Sequence, residues 1–247
     1  MGNNSIIYGI SPIIEAINAN NRKIEKILIA EGKQNNKINK LLQLATKQNI
    51  KLQKTSKFNI SKLVERNANH QGVAAVISPA NYYGSQKLFD EIAEKENSLS
   101  LILDGVEDPH NLGAILRTTE CVRADGVFIP KRRAAGLSET VAKSSAGASE
   151  HVKLAKVNNI NHLIDDLKSE NIWVVGTSDK AKMSYTDWDW KQPAALVLGN
   201  EGKGISKLTA EKCDVLVKIP LYGNIDSLNV SVAAGVILFE ALRQRNN

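Results

Sequence analysis

Apolar residues in the second two thirds of the chain fall into two alternating patterns. Short continuous runs, LSLIL (99–103), GVFIP (126–130), HVKLA (151–155), IWVVGT (172–177), AALVLG (194–199) and VLVKIP (215–220), are separated by stretches with apolar residues three or four positions apart. The runs predict strands. The periodic stretches predict helices over 111–122, around 138–145, over 160–168, briefly after residue 205, and at the end of the chain. Near-continuous apolar strands separated by helices argue for burial on both faces, which predicts an α/β fold with a parallel sheet covered by helices. Residues 6–77 read as a smaller α/β unit, with helices over 12–19, 38–48 and 60–66 and strands over 24–30 and 72–77. SPANYYGSQ (78–86) breaks every period with Pro, Gly, Ser and Asn and reads as a linker. The expected organisation is a small domain over 1–78, a linker over 79–86 and a larger domain over 87–247.

Ligands of open parallel sheets bind beyond the carboxyl ends of the strands, so the loops there carry the chemistry. In LDGVEDPHNLGAILRTTECV (103–122), Leu112, Ile115, Leu116, Thr119 and Val122 form a core stripe, leaving Gly113 and Arg117 on another face. Helical side chains lean toward the N-terminus, so Arg117 is expected to reach back over Gly113 and leave room for an anion or a ribose. A surface pair with Glu120 explains Arg117 equally well. Asn111, taken alone, reads as a helix N-cap.

The loop LVLGNEGKGIS (196–206) invites a phosphate-loop reading and fails it, because Lys203 precedes the last glycine and no Ser or Thr follows the lysine directly. Its glycines still allow close backbone approach to a ligand, and Glu201 among them favours a positive centre over a phosphate. In IPLYGNIDSLNVSVAAGVILFEAL (219–242), Ser227 is a candidate N-cap without a capping box. The helix behind it is apolar around most of its circumference, which predicts burial in the sheet, in a subunit interface, or in both. Ser227 and Asn229 stand where free helix amides meet the loop and can serve a ligand.

Charge divides the chain. Residues 1–78 hold 12 Lys and Arg against 4 Asp and Glu, while residues 79–247 hold 20 against 22. A basic N-terminal third fits a polyanion-binding module, and a solvated Lys-rich surface is the simpler alternative. Lys131, Arg132 and Arg133 form a second basic group after the 126–130 strand, for which a solvated loop is the simpler reading. The distant Cys121 and Cys213 and the scattered histidines imply a reducing compartment and no metal. Without a leader-like or membrane-spanning run, a cytoplasmic, membrane-free protein is the expectation.

DGVEDPHNLGAILRT, LVLGNEGKGIS and IPLYGNIDSLNVSVAAGVILFEALRQ resemble the three ordered motifs of the SpoU, or SPOUT, class of RNA methyltransferases. YGISPIIEAI and NHQGVAA resemble the L30e-like substrate-binding domain that precedes the catalytic domain in its RlmB-type group. The resemblance implies a SPOUT domain with a deep trefoil knot, S-adenosylmethionine as cofactor, a homodimer, and transfer of methyl to the ribose 2′-hydroxyl of a guanosine in 23S ribosomal RNA. A tRNA target, an antibiotic-protective rRNA target, or an RNA-binding ribosome-assembly role with dispensable catalysis are its alternatives. It further implies that Thr177, Leu198, Gly199, Ile219 and Leu228 line the cofactor pocket. Arg117 would assist or position the reacting ribose at a site shared across the dimer, with Asn111, Glu201, Ser227 and Asn229 orienting it.

Overall fold

The computed structural model describes residues 4–32, 35–66 and 68–246. The chain forms two compact units, one running to Asn81 and taking in Leu137–His151, the other made of Tyr82–Gly136 and Val152–Asn247. The sequence reading gave residues 137–151 to the larger domain; in the structure they pack with the first unit.

In the first unit β1 (Ser5–Tyr8) leads into α1 (Ile10–Ala19), then β2 (Ile24–Ala30), α2 (Asn36–Lys47), β3 (Lys51–Thr55), α3 (Lys57–Ser61) and β4 (Val73–Ile77). The strands lie in the order β1-β4-β2-β3; β4 is antiparallel to both neighbours and β2 runs parallel to β3. Ile10, Ile13, Ile14 and Ile17 recur at helical spacing on α1 and are buried with Ile7, Ile27, Ile38, Leu41 and Val73. Asn35 caps α2, its side-chain oxygen accepting from the Ile38 amide at 2.8 Å. Ser56 caps α3 in the same way, from Asn59, so this helix starts earlier than the expected 60–66.

The second unit begins with α4 (Ser85–Ala93), β5 (Leu99–Asp104), α5 (Pro109–Cys121) and β6 (Gly126–Pro130). The chain then enters the first unit as α6 (Glu139–Ser144) and a 3-10 turn (Ala148–Glu150), where Ala142 joins the isoleucine core. An ion pair fixes that segment: Arg22 Nη1 lies 2.8 Å from Glu150 Oε1, with both side chains 6% exposed. Back in the second unit come β7 (Leu154–Val157), α7 (Ile160–Ser169), β8 (Trp173–Thr177), β9 (Met183–Ser184), β10 (Ala194–Gly199), α8 (Lys207–Lys212), β11 (Val215–Lys218) and α9 (Val230–Arg245).

Its sheet has the order β7-β6-β5-β10-β8-β11-β9, and every pairing is parallel, as the near-continuous apolar runs predict. The carboxyl ends of the strands therefore share one edge. β5 to β7 run outward in one direction and β8, β11 and β9 in the other, with β10 inserted between β5 and β8. The reversal of strand order opens a crevice at this point of the sheet. One helical layer packs on Ile102, Phe128, Ala155, Val174 and Val197, with Leu88, Ile92, Ile164 and Leu167 contributed by α4 and α7. α9 packs against α5 and buries Val230, Ala234, Ile237, Leu238 and Ala241.

At the amino ends of the strands α9 finishes in a clasp. The Arg245 guanidinium donates to the carbonyls of Trp190 (2.7 Å), Gln192 (2.9 Å), Ser98 (3.0 Å) and Asn97. No described helix is long and apolar enough to cross a membrane, and no described group of three or more His, Cys, Asp or Glu could hold a metal ion.

Candidate active site

A cavity of about 560 Å³ opens at the carboxyl ends of β8, β10 and β11, a volume typical of small-molecule sites. Thr177, Leu198, Gly199, Ile219 and Leu228 all line it, together with Glu201 and Ser227. Its charged lining is balanced, with Asp179, Glu201 and Asp226 against Lys180, Lys203 and Lys218.

The wall is built by the chain doubling back on itself. A Cβ on Gly199 would stand 2.0 Å from the Gly204 carbonyl carbon and 2.1 Å from the Ile205 nitrogen, so only glycine fits there. Asn200 and Gly204 exchange two backbone hydrogen bonds, of 3.0 and 2.8 Å, closing the loop between them. The Asn200 side chain accepts from the Gly202 amide at 3.0 Å and donates to the Gly105 carbonyl at 3.0 Å, and Asp104 accepts from the Ser206 amide at 2.9 Å. The glycine loop is thus pinned to the end of β5.

At the lip of the cavity three side chains from different elements meet. Asn111 Nδ2 donates to Glu201 Oε1 at 2.7 Å, and Asn229 Nδ2 donates to Asn111 Oδ1 at 3.0 Å and also to Glu201 Oε1. Asn111 is free for this because it is not the cap of α5. That role falls to Asp108, which accepts from the His110 amide at 2.8 Å ahead of Pro109 in the first turn. Ser227 likewise does not cap α9. Asn229 does, its oxygen accepting from the Ser231 and Val232 amides at 2.9 and 3.3 Å while its nitrogen serves the site.

Arg117 is not part of this cluster within one chain. It is exposed, does not line the cavity, and among the described residues has neither a hydrogen bond nor an ion pair, so the expected surface pair with Glu120 is not formed. Gly113 is buried in α5. Thr177 spends its hydroxyl on the Val197 carbonyl at 3.2 Å. Burial, reinforced by Asp214, pushes the Cys213 thiol up to about 12, which leaves it protonated and unreactive near neutral pH.

Residues 98–239 match the SpoU rRNA Methylase family. The chain belongs to the SpoU family. Residues 6–83 of this SpoU protein match a second family, the RNA 2′-O ribose methyltransferase substrate-binding domain, and the protein is an RNA 2′-O-ribose methyltransferase of the SpoU class. It is 42% identical over 241 residues, 97% of this chain and 96% of the other, to a Bacillus subtilis (strain 168) protein described as a putative TrmH family tRNA/rRNA methyltransferase, YacO. Its fold resembles that of a solved RNA 2′-O ribose methyltransferase with a TM-score of 0.81 and 28% identity, covering 98% of this chain and 89% of that one. It also resembles an AdoMet-bound rRNA methyltransferase from Sinorhizobium meliloti, with a TM-score of 0.78, 26% identity, and 97% and 87% of the two chains covered.

Reading the SpoU sequence residue by residue missed Asn200 and Asp108 as the groups that shape the site. Both carried a signal. An Asn two residues before a glycine is an Asx-turn pattern, and Asp before Pro is a helix start.

Proposed function

We propose that this SpoU-class enzyme transfers a methyl group from S-adenosylmethionine to the ribose 2′-hydroxyl of a guanosine in large-subunit (23S) ribosomal RNA, as the RlmB-type group does. The observation that carries the reading is the hydrogen-bonded set Asn111, Glu201 and Asn229 at the lip of a glycine-walled cavity. A zwitterionic cofactor with a sulfonium suits a balanced lining in which backbone approaches closely at Gly199 and the loops of Thr177, Leu198, Ile219 and Leu228 complete the wall. The close crossing at Gly199 and the insertion of β10 between β5 and β8 support the trefoil knot that the resemblance implies, an exception to the rule that chains are unknotted.

When bound, S-adenosylmethionine would supply the methyl group: an O–C bond to the ribose oxygen would form as the C–S bond breaks, the sulfonium would leave as a neutral thioether, and the 2′-hydroxyl proton would pass to solvent. Alignment supplies much of the acceleration. Glu201, held by two amides, fixes one wall of the approach, while Ser227 and Asn229 face the ribose. Arg117 offers a planar fork of donors that matches a phosphate, and its role is to hold the phosphate beside the reacting ribose. It does so at the site of a second copy in a homodimer. Its lack of a hydrogen-bond or ion-pair partner among the described residues supports this arrangement, as does the apolar outer face of α9, where Val232 and Phe239 are 51% and 53% exposed. The basic first unit, as an L30e-like RNA-binding domain over 1–78, adds affinity for a large folded RNA, which favours rRNA over tRNA.

The test is incubation with labelled S-adenosylmethionine and protein-free large-subunit rRNA, alongside total tRNA. One labelled guanosine ribose in the rRNA is expected, with transfer reduced about 100-fold or more in Arg117→Ala while cofactor affinity stays within a few fold. Label in tRNA alone would overturn the target. Absence of label on either RNA with the cofactor bound would favour an RNA-binding assembly protein.

A further inference from the structure

Some cations of the second unit are paired with carboxylates, and others, among them Lys180, Lys203 and Lys218 in the cavity lining, have no ion pair among the described residues. One set is neutralised by carboxylates: Lys168 pairs with Asp214 at 2.8 Å, Lys153 with Glu91 at 2.5 Å, Arg243 with Glu240 at 2.8 Å, and Lys95 and Lys212 with Asp125 and Asp165. Lys131, Arg132, Arg133 and Lys156 are different. Among the described residues none of these four has a carboxylate partner, and the first three are exposed.

These four cations lie together on the edge that carries the cavity. Lys131, Arg132 and Arg133 follow directly on β6, and Lys156 is the penultimate residue of β7, beside β6 in the sheet. Since β10 lies two strands from β6, and neighbouring strands are about 4.8 Å apart, the basic loop starts about 10 Å from the glycine wall of the cavity.

The loop is held in place although its side chains are free. The Lys131 amide donates to the Val157 carbonyl at 3.0 Å, the Ala135 amide donates to the Val106 carbonyl at 2.8 Å, and Ala135 is buried. Arg133 is fixed in the left-handed region, with φ of 57°. The Lys156 ammonium sits 4.0 Å from the centre of the Tyr82 ring, which holds it without cancelling its charge. A fixed backbone carrying unpaired cations has paid its ordering cost before a polyanion arrives.

We infer that Lys131, Arg132, Arg133 and Lys156 form a phosphate track along the carboxyl edge of the sheet, which holds the substrate RNA backbone next to the ribose at the Asn111–Glu201–Asn229 lip. The inference rests on the RNA methyltransferase reading of the cavity and adds the path of the substrate. The contacts are to phosphates, so the track sets affinity and register and does not choose the base.

The experiment compares two triple variants of the full chain that remove equal charge. One is Lys131→Ala/Arg132→Ala/Arg133→Asn, in which Asn tolerates the left-handed backbone at residue 133. The other is Lys95→Ala/Lys168→Ala/Lys212→Ala, on cations already neutralised by carboxylates. Binding of protein-free large-subunit rRNA is measured by filter retention over a NaCl series, with thermal melts to show that both variants fold and calorimetry to show that both bind S-adenosylmethionine. The track variant is expected to lose about tenfold in affinity, and its log–log salt slope to flatten by about two, from three lost phosphate contacts. The second triple is expected to leave the slope unchanged. Lys156→Met, which keeps the side-chain stem on Tyr82, is expected to move the slope in the same direction by a smaller step. An unchanged slope in the track variant, or an equal change in both triples, overturns the inference. If the wild-type chain labels no RNA, the methyl-transfer reading fails, and the two salt slopes still decide whether the track binds phosphate.

Discussion

The two ends of the parallel sheet treat polar groups in opposite ways. At the amino ends, Arg245 is fully used, its guanidinium satisfying four carbonyls, while Asp125 accepts from the Leu99 amide and pairs with Lys95. A second cavity of about 360 Å³ lies there, and Arg245 and Asp125, which line it, are committed to the chain itself. At the carboxyl ends, backbone crosses backbone at Gly199, Glu201 keeps one carboxylate oxygen without a hydrogen-bond partner among the described residues, and the loop after β6 keeps its charges unpaired among those residues. Burial demands satisfied polar groups, so groups left over at a rigid edge are those a ligand completes. The difference separates the end that stabilises from the end that reacts.

Substitutions can test that separation. The largest effect is expected from Gly199→Ala, whose methyl group would overlap the Gly204–Ile205 backbone. Stability should fall by about 3 kcal/mol in urea titration, with loss of S-adenosylmethionine binding by calorimetry; a stable variant that binds the cofactor would show that the crossing yields. Arg245→Ala should cost about 2 kcal/mol by leaving carbonyls without donors, yet keep cofactor affinity within a few fold. Should it lose the cofactor at unchanged stability, the two ends are not independent. Glu201→Gln keeps the shape and the acceptor for both amides, so its melting temperature should hold while turnover drops about tenfold in the labelled-methyl assay.

The smallest effect is a pH dependence at the clasp. Hydrogen bonds from Arg243 and then from Gln244 hold the Glu240 carboxyl down at about 2. A depressed carboxylate stabilises the fold above its ordinary range near 4.5, and that contribution is lost as pH falls toward 2. Glu240→Gln should therefore melt slightly below the wild type at pH 7, with the gap closing through acid, and methyl transfer at pH 7 should be unaffected.

The sequence made most of the large sheet legible because its longer strands are near-continuous apolar runs, while the two-residue β9 (Met183–Ser184) carries no such run. β3 was not legible. KLQKT lies at the edge of the small sheet with its first four residues exposed, so no alternation marks it. α4 starts inside what reads as a linker, because Ser85 follows a Pro-, Asn- and Gly-rich stretch whose Tyr83 bridges to Ala155. The strand expected at 151–155 begins at Leu154, since His151 and Lys153 are exposed and only the residues that follow are buried. The residues around the cavity could be named from the motifs, but not the division of labour among them. Which of Asp108 and Asn111 caps α5 depends on where Pro109 sets the first turn, and which of Ser227 and Asn229 caps α9 depends on where the loop ends. Arg117 is the sharpest case, because spacing fixes its face on the helix but not what that face meets.

Asn229 does two jobs with one amide group. Its oxygen starts α9, and its nitrogen joins α9 to Asn111 and Glu201. Aspartate at 229 could still start the helix but would set a second carboxylate beside Glu201, and serine could still start it but is too short to reach Asn111. Few residues can replace this one, for a reason that neither folding nor catalysis would impose alone: the position is confined to side chains that accept at one end and donate at the other.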